Sequence, residues 1–227
     1  KAAALFEKAA KGGHVDAHYR LSLVYKSDTT AQRNFEKIIG WLRMAAEKGS
    51  VNAAYDLWIA NRQSRGQLVN LQEARPLLTA AAKAGLADAQ YHFGAALITA
   101  VFGPADKKGG IEWIKKAAEQ GQPNAQVHLA AVLSNPAFQA LDLPRAYFWL
   151  NRAMNSSNER VQRDAELGMA SLRQKLSADK IFEIQLEARN FKPKKTLVTR
   201  NFKLGLAGAE QRTILQIRVQ LLTGQAE

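Results

Sequence analysis

A phrase that returns every 36 residues constrains this chain more than anything else in it. The alanine pairs Ala9-Ala10, Ala45-Ala46, Ala81-Ala82 and Ala117-Ala118 lead into Gly13, Gly49, Gly85 and Gly121. Three residues after each glycine stands Asp16, Asn52, Asp88 or Asn124, directly before Ala17, Ala53, Ala89 or Ala125. Upstream, Trp41, Leu77, Trp113 and Trp149 share one register; downstream, Leu21, Leu57, Phe93 and Leu129 share another. A fixed period of this length marks a repeat array, and it decides the architecture before any single segment is read.

Each recurring residue type has a physical task. Glycine just past an alanine-rich helix can take the left-handed conformation that closes the helix and satisfies its last carbonyls. Asp or Asn three residues later is expected to be the N-cap of the next helix, worth about 1 kcal/mol over alanine. The alanines permit close helix approach, and the aromatic or leucine positions supply apolar area for the neighbouring unit. One helix pair cannot bury both of its faces, so the pairs must stack.

The pattern predicts A helices at roughly 16–26, 52–63, 88–100 and 124–134, and B helices at roughly 1–11, 34–48, 71–84, 108–120 and 142–155. Breaker residues such as Gly103-Pro104 and Asn135-Pro136 separate A from B. A degenerate pair at about 158–175 and 178–190, with Ser177 as N-cap, is expected to close the array without the glycine and the N-cap of the earlier turns.

With helix A written D/N-A-x-Y-x-L-x, helix B ending W-L/I-x-x-A-A-x-x-G, and a 36-residue length, the sequence resembles the Sel1-like repeat family, relatives of the tetratricopeptide repeat. The resemblance covers about 1–155, and more loosely extends to 190. Two features depart from it. The glycine-x-glycine loop between A and B is eroded, and the small residue after the helix A leucine becomes Trp58. The resemblance implies an all-α, right-handed α-solenoid of helix-turn-helix repeats over 1–190, a basic extension over 191–227, and a bacterial scaffold that binds other proteins on the concave face of its A helices.

Composition narrows the chemistry. The 227 residues include no cysteine, which excludes disulfides, thiolate metal sites and cysteine nucleophiles. No run approaches the roughly 18–20 apolar residues that cross a bilayer, and no signal-peptide order opens the chain. Lys1 falls in mid-helix, so a preceding leader or anchor is compatible with it, and both periplasm and cytoplasm stay open.

The net charge of +12 favours acidic partners or anionic surfaces. Eight basic residues against two acidic ones in 189–227 give that stretch +6, half of the excess. Lys192, Lys194, Lys195, Arg200 and Lys203 lie among Phe191 and Phe202 with no acidic residue between. Contact with nucleic acid or anionic lipid is one reading of this segment, and a docking peptide or a solvated tail is the other. Beyond it, Leu215, Ile217, Val219 and Leu221 alternate with polar residues, which suits a hairpin strand, while a helix over 209–222 fits the same stretch.

Arg20, Asp56, His92 and His128 occupy one repeat position yet differ in charge, as surface residues do and core residues do not. They define a candidate partner-binding ladder together with Ile59, Gln63 and Trp58, the last being either a core filler or an exposed anchor. His14 and His18 have the i, i+4 spacing of a zinc helix, but His14 precedes the expected helix start, so no metal or cofactor is expected. No catalytic motif is present, and the chain is expected to be non-enzymatic. Its expected partners are other proteins, with an immunity protein that neutralises a secreted antibacterial effector, or an adaptor to an anionic surface, as alternatives.

Overall fold

The computed structural model describes residues 2–12, 14–26, 35–63, 71–138 and 140–196. Eleven α-helices and one 3-10 turn make up its regular structure, and no strand occurs among the described residues. In chain order the helices are α1 (Ala2–Lys11), α2 (Val15–Lys26), α3 (Phe35–Glu47), α4 (Val51–Gln63), α5 (Leu71–Lys83), α6 (Ala87–Ile98), α7 (Lys107–Glu119), α8 (Pro123–Ser134), α9 (Leu143–Ala153), α10 (Glu159–Arg173) and α11 (Ala178–Asn190). Even-numbered helices are the predicted A helices and odd-numbered ones the B helices. The expected hairpin or helix beyond residue 208 lies outside the described residues.

The turns behave as the repeat demands at their stop signal. Gly49 and Gly121 have φ of 89° and 87°, a region closed to most side chains. Gly49 N–H donates to Ala46 O and Ser50 N–H to Ala45 O; Gly121 N–H donates to Ala118 O and Gln122 N–H to Ala117 O. This is the Schellman arrangement, and it explains the alanine pair. Its two backbone carbonyls are the acceptors, and its side chains are small enough for the next helix to pass close by.

The start signal is displaced from its expected place. The residue after the glycine has extended dihedrals, as at Leu86 (φ −68°, ψ 116°) and Gln122 (φ −70°, ψ 116°), and that conformation already suffices for an N-cap. The A helices therefore begin two residues earlier than the Asp/Asn reading places them. Ser50 Oγ accepts from Ala53 N–H at 3.4 Å, and Gln122 Oε1 accepts from Ala125 N–H. Asp16 and Asp88 instead stand in the first turn, where a carboxylate favours the positive helix end. Asp88 also accepts from Gln122 Nε2 at 3.1 Å, linking one repeat to the next.

The described residues fall into two compact units. One lies within Lys1–Ala84 and holds α1 to α5; the other, Gly85–Thr196, holds α6 to α11. In the first unit, each helix packs on its chain neighbours around Ile38, Leu42, Ala45, Ala53 and Leu57, with Phe6, Ala10, Ala17 and Leu21 forming a second cluster. In the second, one continuous core runs from Ile114 and Leu129 through Tyr147, Phe148 and Trp149 to Val161, Leu172 and Ile184. Position 94 is glycine there, opposite Gly110, and α6 and α7 meet almost backbone to backbone.

The degenerate closing pair forms as expected, with Ser177 Oγ accepting from Lys180 N–H at 3.3 Å. Its first helix nonetheless keeps a cap: Asn158 Oδ1 accepts from Arg160 and Val161 N–H. Asn158 follows the Gln122 cap by 36 residues, so the closing pair keeps its cap in register and loses only the glycine, whose place is taken by Ser157.

Candidate functional site

Arg20, Asp56, His92 and His128 all sit half-buried on A helices, on α2, α4, α6 and α8 respectively. Each follows a residue of the Tyr19, Tyr55, Tyr91, Val127 row, and these tyrosines organise the surroundings. In the first unit, burial and then the Asp56 carboxylate hold the Tyr19 phenol well above its ordinary range, with Arg20 partly opposing them. In the second, Tyr91 packs its ring against His92 at 5.0 Å and edge-on to His128 at 6.0 Å. Burial lowers the pKa of His128, so its imidazole stays neutral at pH 7 and offers hydrogen-bonding capacity without charge.

The other predicted contact residues divide. Ile59 is half-buried on α4. Trp58 is only 6% exposed, so its ring fills the core where the other repeats have Ser22, Gly94 and Ala130, and it presents no exposed anchor. The side chain of Gln63, and Arg200 and Lys203, lie outside the described residues.

The histidine pair is accounted for without metal. His18 is 4% exposed, its Nδ1 3.1 Å from the His14 carbonyl and its ring 5.7 Å from Trp41. Backbone and core therefore already occupy it. Among the described residues no three His, Asp or Glu side chains stand together to hold a metal. The cleft between α9 and α11, lined by Asp142, Arg145, Lys180, Glu183 and Glu187, has its charges paired internally, Arg145 with Glu187 and Lys180 with Glu183.

A second surface escaped the sequence reading. After α11 the chain runs extended from Phe191 to Thr196 along the turns of its own unit. Phe191 packs edge-on to Phe148 and Trp149 at 5.6 Å each, with the Arg152 guanidinium 5.2 Å from its ring centre. Arg152 also donates to Ala188 O at 2.8 Å, fixing the exit of α11. Lys194 N–H donates to Glu119 O at 2.8 Å, and its ammonium pairs with the Glu119 carboxylate at 2.7 Å. The Thr196 hydroxyl is shared between Gly85 O at 3.1 Å and Gln120 Oε1 at 3.2 Å, while Gln120 Nε2 donates to buried Gln90 at 2.7 Å.

Pro193 lies over Gly121 and Thr196 over Gly85, so close that a Cβ on either glycine would meet them at 3.2 and 3.3 Å. Lys192 and Lys195 are exposed. The three-residue spacing of Pro193 and Thr196 was in the sequence, yet only a structure shows that it matches a 36-residue step.

The helical arrangement is that of known proteins. The structure of c5321, a protective antigen of uropathogenic Escherichia coli displaying an SLR fold, matches 83% of this chain at 23% identity and a TM-score of 0.73. A Sel1 repeat protein from Oxalobacter formigenes matches 82% at 21% identity and a TM-score of 0.65. This chain spans 40% of the first of those chains and 77% of the second. No protein-family model and no curated protein matches the sequence.

Proposed function

We propose, from the premise that this chain is built on the Sel1-like repeat fold, that it is a non-enzymatic scaffold binding other proteins on the exposed faces of its A helices. The observation that carries this reading is a contrast between neighbouring repeat positions. Leu21, Leu57, Phe93 and Leu129 stay apolar and buried, whereas Arg20, Asp56, His92 and His128, one residue earlier, change charge from repeat to repeat and stay half-exposed. Packing enforces chemistry at the first set and leaves it free at the second. Free positions on a rigid repeat are where a partner's surface can be matched at little ordering cost. Arg20 supports the reading further, because its buried Nε finds no acceptor among the described residues.

The anionic-surface reading is weaker for the described part of the extension, since Lys194 directs its ammonium to Glu119. An immunity protein would be a special case of the scaffold, with one tight partner. Affinity capture with the full chain and with its His92→Glu/His128→Glu variant, at low and high salt, tests the proposal. The scaffold reading expects proteins that the wild type retains at high salt and the equally folded variant loses. Capture that ignores these residues and vanishes with salt would move the activity to the basic extension.

A further inference from the structure

We propose that the turn edge of the second unit, Gly85 and Gly121 with Glu119 and Gln120, is a binding site for an extended peptide of another protein, of pattern aromatic-x-Pro-Lys-x-Thr. Residues 191–196 are its built-in competitor.

The match between segment and edge is periodic. Extended backbone advances about 3.3 Å per residue, so three residues cover about 10 Å, close to the packing distance of neighbouring helices. Pro193 and Thr196 are three apart, and each lands on the glycine of a successive turn. Those glycines are dictated by helix closure, with φ of 87° and 97°. Closing the helices therefore also leaves a row of seats without side chains, spaced for an extended chain.

Each seat selects a chemistry. Glu119 accepts a cation, and its carbonyl fixes the peptide backbone through Lys194 N–H. The Gly85 carbonyl and Gln120 Oε1 form an acceptor pair that takes a hydroxyl donor, which valine would not supply. The proline contributes an extended φ set in advance.

The occupant is lightly held. Four of its six residues, from Lys192 to Lys195, are exposed, and a backbone hydrogen bond, a shared hydroxyl, an ion pair and the Phe191 ring are among the contacts that fasten it. Segments with so few buried contacts open locally at low free energy. Tethering still gives the segment an effective concentration on the order of millimolar, so a free peptide of similar affinity is suppressed in the wild type. This site uses none of the A-helix ladder residues, and the two readings stand or fall separately.

The test uses the full chain and a fluorescein-labelled peptide with the sequence of Asn190–Thr196. Lys194→Ala/Thr196→Ala in the protein weakens the clasp at exposed or half-buried positions and leaves Phe191 in place. Fluorescence anisotropy should show saturable one-to-one binding, at least about five-fold tighter to this variant than to wild type. In the variant that also carries Glu119→Lys, preference should reverse toward a peptide with glutamate at the Lys194 position, by about three-fold for an exposed pair. Thermal melts certify that the variants are folded. No saturable binding to the weakened variant, or binding indifferent to Glu119→Lys, overturns the proposal. Dimerisation of the variant that excludes the peptide also overturns it, in favour of exchange between copies.

Discussion

Gly94 and Gly110 hold α6 and α7 closer than any side chain permits. A Cβ on Gly94 would lie 2.6 Å from the Gly110 carbonyl oxygen and 3.0 Å from the Ile114 backbone nitrogen, neither of which can move without shifting a helix. Gly94→Ala is therefore expected to destabilise the second unit by about 1–3 kcal/mol, read as a lowered urea midpoint. Sequence comparison of repeats finds position 94 small, between Trp58 and Ala130, but not its facing glycine. That pairing depends on where α6 and α7 cross, which the sequence of neither helix states. The same holds for Trp58: its type stands out in the sequence, whereas its burial is settled by what packs around it.

His128 carries the pH dependence at this scale. Its folded pKa lies below the 6.5 of an ordinary imidazole because burial disfavours the cation, and Tyr91 is the ring against it. The folded state then binds fewer protons than the unfolded one below about pH 6.5, so stability rises with pH through that window. The contribution is fully present above it and is lost as the pH falls toward the lowered value. Urea midpoints at pH 7.0 and 5.5 should fall less for His128→Gln than for wild type, the difference isolating this group from other carboxylates and histidines.

Among the elements, the turn between B and A helices shows how the sequence encodes a start and a stop in four residues. Glycine as the stop was legible, because few residues tolerate its φ. The start was misplaced, because Asp and Asn are favoured caps and their register is regular. The Schellman geometry, however, makes the residue after glycine extended, and the helix restarts there at once. The cap side chain consequently varies, Ser50 or Gln122, with Leu86 providing none.

Gln122→Ala should cost about 1 kcal/mol through the lost cap, with the Asp88 bond lost in addition. Asn124→Ala, exposed and past the cap, should stay within about 0.5 kcal/mol. Equal costs, or the reverse order in denaturant titrations, would restore the Asp/Asn position as the cap. The strap over the turns was illegible for a different reason. Residues 191–196 look like a charged tail until two glycines 36 residues apart are seen to receive a proline and a threonine three apart.

For the whole molecule, the repeat supplies two compact helical units whose A helices carry half-exposed, chemically varied positions. The fold was the most legible layer, since a period of 36 with alanine, glycine and aromatic positions leaves little else to build. The proposed function was legible only as a class, because the ladder residues are singled out by their freedom from packing and not by a reaction they share. Hydrogen–deuterium exchange of the full chain, alone and saturated with a protein it captures, measures the central claim most directly. The scaffold account predicts that slowed exchange concentrates in α2, α4, α6 and α8, around Tyr19, Asp56, His92 and His128. Slowing confined to residues 191–227, with these helices unchanged, would contradict it.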